Sequence, residues 1–121
     1  MLVVGSFFGS SLQAQEYMNM LESRSYKQFA RHLDNYVQIE MRRDKEIYSK
    51  EEAIKRIANR LNQLDPVRWE LVHKGESEEK AGSYLVLKAY NKEDDGLRIF
   101  LHMKEVEGMK KVSSIKFRKL L

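Results

Sequence analysis

The chain has 121 residues, of which 42% are hydrophobic and 33% charged, and it contains no cysteine. This length predicts one domain with its own core, and the composition excludes a fully disordered chain. The lack of cysteine excludes a disulfide framework, a cysteine-based zinc site and a thiol nucleophile. The 22 Lys and Arg residues outnumber the 18 Asp and Glu residues, and this small excess only weakly favours an anionic partner.

The first 15 residues carry no charged side chain, and they resemble the apolar and cleavage regions of a secretory signal. An apolar run over Leu2–Phe8 precedes a small, polar stretch that ends at Ala14 and Gln15. We therefore predict a truncated signal peptide over residues 1–15, a single mature domain over residues 16–121, and a periplasmic or secreted location. The alternative is an apolar N-terminal arm that packs on the domain. No other run approaches the roughly 20 apolar residues of a membrane span.

The segment Glu16–Leu33 has the residue spacing of a helix, with a break at Ser23–Ser25. Ser25 and Gln28 fit a capping box, in which side chains and backbone satisfy each other's free hydrogen-bond donors. The sequence therefore predicts two consecutive helices before the first strand.

A hairpin and a third helix are predicted next. Tyr36–Arg42 alternates apolar and polar residues, which indicates a half-buried strand, and Ile47–Tyr48 is a short return strand. Ser49 and Glu52 form a second capping box at the start of a helix with one apolar side. Asp65-Pro66 ends this helix, because proline lacks an N–H and the residue before it disfavours helical geometry.

Four further strands follow, joined by short polar turns that predict antiparallel pairing. They are Val67–Gly75, Ser83–Asn91, Leu97–Val106 and Lys110–Lys119.

Alternation along these strands predicts two faces of one sheet. The core face collects Val67, Trp69, Leu71, His73, Leu85, Leu87, Ala89, Leu97, Ile99, Leu101, Met103, Ile115 and Phe117. The opposite face, here called the outer face, collects Arg68, Glu70, Val72, Lys74, Tyr84, Val86, Lys88, Tyr90, Arg98, Phe100, His102, Lys104, Val112, Ser114, Lys116 and Arg118.

The outer face combines seven Lys or Arg residues with three aromatic residues and a single Glu. Its interface candidates are Tyr84, Tyr90, Arg98 and Phe100. Such a face can bind a second copy of the chain or an extended anionic polymer. The alternative is a solvated face on which Lys and Arg stems shield the rings. The predicted secretion disfavours nucleic acid as the partner.

Motifs for catalysis or metal binding are absent: the sequence has no Gly-rich phosphate loop, no paired-His helix motif and no Gly-flanked nucleophilic serine. The three histidines fall on separate predicted elements, so we predict no metal site and no cofactor. His73 beside Trp69 could serve as a general base in a cavity that Asp34 and Tyr36 also line. The alternatives are a hydrogen-bonded histidine at the core edge, a helix stop and a sheet-edge tyrosine.

The order of elements resembles the cystatin-like, nuclear transport factor 2-like superfamily. Within it, three stretches resemble a small secreted bacterial family of unknown function, and the resemblance spans Tyr17–Arg118. These stretches are Tyr48–Ala53, His73–Ser77 and Leu97–Phe100.

The resemblance implies an α+β cone, in which N-terminal helices pack on a curved antiparallel four-stranded sheet beside a short hairpin, often around a pocket. It also implies a small residue where Leu87 stands. Isomerases of this superfamily use carboxylates and a tyrosine inside the cone, whereas the predicted inward strand positions carry no Asp or Glu. We therefore predict a secreted, non-catalytic binding or assembly module of unknown ligand, with homodimerisation through the outer face as one form of assembly. The alternative is a cone-pocket small-molecule binder or an isomerase- or dehydratase-like enzyme.

Overall fold

The computed structural model describes residues 13–77 and 82–120. Residues 1–12 of the predicted signal peptide and residues 78–80 of the turn predicted at 76–80 lie outside the described residues. The fold is α+β, with helices packed on a curved, open and mostly antiparallel sheet. The described helices are α1 (residues 13–22), α2 (Tyr26–Ala30) and α3 (Lys50–Leu64). The described strands are β1 (Leu33–Met41), β2 (Asp44–Ser49), β3 (Arg68–Ser77), β4 (Gly82–Tyr90), β5 (Gly96–Val106) and β6 (Met109–Leu120).

The break between the first two helices is confirmed. Arg24, with φ of 60°, reverses the chain between α1 and α2. The capping box predicted at Ser25 is wrong, because this side chain makes no cap hydrogen bond and its hydroxyl lies 2.8 Å from Ser23 Oγ. The helical pattern also ends earlier than predicted, since Leu33 is already the first residue of β1.

The short helix α2 is held to its neighbours by aromatic packing. Phe29 is fully buried, and its ring meets the Tyr17 ring edge-on, with centroids 6.2 Å apart. The Tyr17 ring also contacts the His32 ring at 5.2 Å. Partial burial lowers the pKa of His32, and the nearby positive charge of Lys111 lowers it further. These contacts join α1 and α2 to the start of β1.

The third helix begins and ends as predicted. Ser49 Oγ accepts a hydrogen bond from the Glu52 backbone N–H at 3.3 Å, which caps the helix. The Glu52 side chain does not complete the box; it accepts from Arg56 Nε at 2.9 Å, one turn along. Asp65, with φ of 55°, ends the helix before Pro66.

The predicted hairpin is not a separate unit, which corrects the four-stranded description of the sheet. In the described residues the sheet has six strands in the order β2-β1-β6-β5-β4-β3. Strand β1 pairs with β2 antiparallel and with β6 parallel. A two-stranded hairpin is marginally stable alone, and pairing with β6 gives the buried side chains of β1 a continuous core.

Two bulges move residues between the faces, because each adds one residue to a strand and inverts the alternation beyond it. The bulge at Val72 puts the backbone of His73 in register with Val86, one position out of the alternation that runs through Trp69 and Leu71. The bulge at Ser113 turns Val112 to the core, where it is fully buried, rather than to the outer face. The Ser113 hydroxyl donates to the backbone carbonyl of His102 at 3.2 Å.

The core face is otherwise as predicted along β4, β5 and the second half of β6. Leu87 is fully buried where the resemblance implied a small residue, so a large side chain fills that part of the interior. The prediction is wrong at the sheet edge: Val67 precedes β3 and is 58% exposed, and Leu71 is 37% exposed. Both belong to an edge, which packs against fewer neighbours. None of the described helices is both long and apolar enough to cross a membrane.

Candidate functional site

The four predicted pocket residues do not come together. Asp34 and Tyr36 lie on β1, whereas Trp69 and His73 lie on β3. Three strands separate β1 from β3, which is roughly 19 Å along the sheet at about 4.8 Å per strand. Tyr36 is 68% exposed, and Trp69 packs against the core cluster. None of the four clefts described in this part of the chain is lined by Asp34, Tyr36 or Trp69.

The two outer-face tyrosines lie flat on the sheet. A Cβ atom at Gly75 would meet the Tyr84 hydroxyl at 2.7 Å, and one at Gly96 would meet the Tyr90 ring at 2.9 Å. Each tyrosine therefore covers a glycine of the neighbouring strand, a packing that stabilises exposed sheet glycines. This role in the fold accounts for both rings without a partner molecule.

Cationic side chains cover the rings of the outer face. The Arg68 guanidinium lies 4.0 Å from the centroid of Tyr90, and it also pairs with Glu70 at 2.6 Å. Lys116 Nζ lies 5.7 Å from the centroid of Phe100. On much of the outer face, Lys and Arg side chains therefore shield the aromatic rings from water, as in the solvated face predicted as the alternative to an interface.

Arg98 is the exception on the outer face. Cross-strand pairing places it directly between Lys88 and Arg118, so three cations form one row across β4, β5 and β6. Like charges in this relation destabilise a sheet. The Nε atom of Arg98 is buried and has no hydrogen-bond acceptor within the described part of the chain.

A second basic region lies where α3 ends beside β6. Two adjoining clefts of about 540 and 390 Å³ meet there and share four lining residues. The shared residues are Arg60, Gln63, Leu97 and Lys119. We call this region the basic mouth, defined by the four cations Arg42, Arg60, Arg118 and Lys119.

The sequence brings these cations together through three elements. Arg60 stands in the last turns of α3, beside the apolar side that Ile57 and Leu61 bury. Lys119 continues the core-face alternation of Ile115 and Phe117, and it pairs with Leu97 on β5. The sequence indicates the position of Lys119, since the alternation that predicts the buried side chains of β6 places this lysine on the core face at the end of the strand.

Positive charge dominates the mouth. The pKa of Arg60 is lowered by partial burial and by the nearby positive charge of Arg42. No carboxylate in the described residues lies within salt-bridge distance of Arg60. Three carboxylates also line the clefts: Glu40, which pairs with Lys116 at 3.7 Å, Asp44 in the larger cleft and Asp95 in the smaller one. The arrangement therefore suits an anion that accepts hydrogen bonds from the Arg60 guanidinium.

The floor of the mouth is apolar. Leu97 and Phe117 line the larger cleft, and both are almost fully buried. Across the described residues, no group of three or more His, Asp or Glu side chains is placed to hold a metal ion. The mouth can therefore hold an organic anion, with its charged group at the cations and its apolar part on the floor.

Comparison with known proteins identifies the family. A family profile described as a domain of unknown function, DUF4783, matches residues 14–118. No curated protein matches the sequence. A DUF4783 family protein from Bacteroides fragilis YCH46 is similar in structure, with a TM-score of 0.74 and 14% identity over 84% of this chain and 92% of that chain.

Two further solved structures extend this likeness in fold. A DUF4783 family protein from Bacteroides ovatus ATCC 8483 has a TM-score of 0.76 and 13% identity, over 85% of this chain and 91% of that chain. An NTF-2 like protein of unknown function from Silicibacter pomeroyi DSS-3 has a TM-score of 0.65 and 11% identity, over 97% of this chain and 98% of that chain. The chain therefore belongs to the DUF4783 family and has the nuclear transport factor 2-like fold that its sequence resemblance predicted.

Proposed function

We propose that this protein is a non-catalytic binding module that holds an anionic organic molecule in the basic mouth. The observation that carries the proposal is Arg60, a partly buried cation that has no carboxylate partner in the described residues and lies beside a second cation, Arg42. Placing such a group in a cleft costs stability, because it is partly desolvated and repelled by its neighbour. A bound carboxylate or phosphate would offset both costs.

A binding role fits the interior better than the alternative of an isomerase- or dehydratase-like enzyme. Proton abstraction beside a carbonyl needs an acid and a base held in a dry pocket. Among the residues whose side chains the structure describes, the buried residues that carry a side-chain polar group are Ser83 and Tyr17. No carboxylate is buried with them, and the carboxylates that line the mouth, Glu40, Asp44 and Asp95, share it with four cations.

The test is calorimetric titration of the protein with citrate at low ionic strength. A hydrogen bond to a charged group contributes about 1.5–3 kcal/mol, so Arg60→Gln is expected to weaken citrate binding roughly 10- to 100-fold. The matched control is Lys55→Gln, which removes the same charge from an exposed position of α3 outside both clefts. The uncharged ester triethyl citrate is expected not to bind.

Two results would contradict the proposal. One is no citrate binding by the wild-type protein at low salt. The other is an equal loss of affinity in Arg60→Gln and Lys55→Gln, which would make the effect one of net charge and not of the mouth.

Assembly through the outer face is the second proposal, and the row of three cations, Lys88, Arg98 and Arg118, favours it. Carboxylates of a second copy would relieve the repulsion within this row. A symmetric dimer predicts twice the chain mass in sedimentation equilibrium, and Phe100→Glu is expected to restore the monomer mass by burying a charge at the contact. A monomeric wild-type protein at high micromolar concentration would exclude this assembly.

We also propose a periplasmic or secreted location, which the uncharged residues 1–15 support. Ala14 is buried in α1, so cleavage after Ala14 or Gln15 would remove one small side chain from the core cluster. The mass of the mature protein recovered from the native host would give the cleavage position.

A further inference from the structure

The larger cleft of the mouth opens onto the edge of a strand. Met41 is the last residue of β1 that pairs with β6, and its partner is Phe117, whereas β6 continues to Leu120. The chain leaves the sheet at Arg42, which has a φ of 56°. Phe117, Arg118 and Lys119 all line the cleft. Consecutive side chains of a strand point to opposite faces of the sheet. A cleft that three consecutive residues line therefore lies at the edge of that strand.

The last three residues of β6 have an unused side. On one side, Arg118–Leu120 pairs antiparallel with β5, up to the pair of Leu120 with Gly96. In an antiparallel ladder, every second residue directs both its N–H and its C=O away from that partner. At least one residue of the three therefore presents a donor and an acceptor on the side that β1 has left. No residue of the described ranges pairs with them there.

Cations flank this edge on both faces of the sheet. On the outer face, Arg118 lies next to Arg98, whose Nε atom lacks an acceptor. On the core face, Lys119 lies beside Leu97 in the cleft that Arg60 also lines. A chain lying along the edge would therefore meet cations on either side, and these outnumber the two carboxylates of the larger cleft, Glu40 and Asp44.

We propose that the ligand of the basic mouth is an extended acidic peptide segment that adds a short strand to β6 at Arg118–Leu120. This inference rests on the proposed anion-binding function and names its ligand class. Successive side chains of an extended peptide point to opposite faces. Acidic residues on one side of the peptide reach Arg118 and Arg98, and those on the other side reach Lys119 and Arg60.

The strand edge favours a peptide over other polyanions. An acidic polysaccharide or a nucleic acid would use the cations but has no regular backbone donors and acceptors to match those of β6. Strand addition uses main-chain hydrogen bonds for affinity and alternate side chains for specificity. Binding should therefore depend on both the charge and the backbone N–H groups of the ligand.

The experiment uses a fluorescein-labelled peptide of ten residues, alternating Glu and Thr, with blocked ends, and measures binding by fluorescence anisotropy. The matched probe is the same peptide with every backbone nitrogen methylated, which keeps the charge and removes the donors. The wild-type protein is expected to bind the unmodified peptide at least ten-fold more tightly than the N-methylated peptide. Arg118→Gln and Lys119→Gln, on opposite faces, are each expected to weaken binding at least five-fold, and Lys55→Gln less than two-fold.

The outcomes separate this inference from the function on which it rests. If citrate binds through Arg60 but the Glu-Thr peptide does not bind, the acidic-peptide inference fails and the anion-binding function stands. Equal affinity for the unmodified and the N-methylated peptide would also overturn the acidic-peptide inference, since charge alone would then explain binding. The same holds if a twelve-nucleotide oligothymidylate binds more tightly than the unmodified peptide. If neither citrate nor the peptide binds, both proposals fail.

Discussion

Replacing Phe29 with alanine is expected to lower the free energy of unfolding by about 3–5 kcal/mol, as for other fully buried phenylalanines. The ring is the main contact of a helix only five residues long, and through Tyr17 it also holds α1. A domain of this kind has a total stability of about 5–15 kcal/mol, so the variant should be barely folded at 37 °C. Urea unfolding at 15 °C, followed by the fluorescence of the single Trp69 and by far-ultraviolet circular dichroism, measures the loss.

The control for Phe29→Ala is Lys27→Ala, at an exposed position of the same helix. This change is expected to alter the free energy of unfolding by less than about 0.5 kcal/mol. If Phe29→Ala cost less than about 1 kcal/mol, α2 would not be part of the cooperative core, and the account of how α1 and α2 are held would be wrong.

Period-two alternation predicted the core well where strands are regular. A side chain on the inner side of a central strand is covered by neighbouring strands and by the helices. The predicted core residues of these strands are accordingly almost fully buried: Leu85, Leu87, Ile99, Leu101 and Ile115. The same rule also located the strands themselves. It carries no information about strand order, which is why the parallel pairing of β1 with β6 was missed.

The errors in face assignment have one physical origin. A bulge inserts a single residue and reverses every later position, yet Val72 and Ser113 are ordinary strand residues that give no local signal. Val112 gave an indirect indication of the second bulge, since moving an apolar side chain from a polar face into the core is favourable in free energy. No such clue in the sequence indicated the change of register after Leu71.

The candidate site depended on tertiary placement that the sequence does not contain. Asp34 and Tyr36 were predicted to line a cavity with Trp69 because they lie where the first helices meet the sheet, but the strand order separates β1 from β3 by most of the sheet. The basic mouth instead joins Arg60 of α3 to Lys119 of β6. The sequence indicated one part of this pair, because the alternation along β6 places Lys119 on the core face.

Replacing Arg60 with methionine is expected to stabilise the folded protein while weakening citrate binding at least as much as Arg60→Gln does. Methionine keeps the apolar stem that packs over the cleft floor and removes a charge that is partly desolvated and repelled by Arg42. Because solvent screens part of that repulsion, the expected gain in free energy of unfolding is small, roughly 0.5–1 kcal/mol. Urea unfolding at low ionic strength measures it, and 0.5 M NaCl should reduce the difference between variant and wild type.

The matched control is Arg56→Met, one turn earlier on α3. Arg56 donates to Glu52 at 2.9 Å and lies 4.7 Å from the centroid of the Tyr48 ring, so its removal should not stabilise the protein. A ligand that binds Arg60 only in the folded state offsets the cost of this cation, because the stability it adds grows with the logarithm of its concentration above Kd. Citrate should therefore raise the melting temperature of the wild type and of Arg56→Met but not that of Arg60→Met. A lower stability of Arg60→Met than of the wild type, without citrate, would show that Arg60 serves the fold and would remove the argument for the mouth as a binding site.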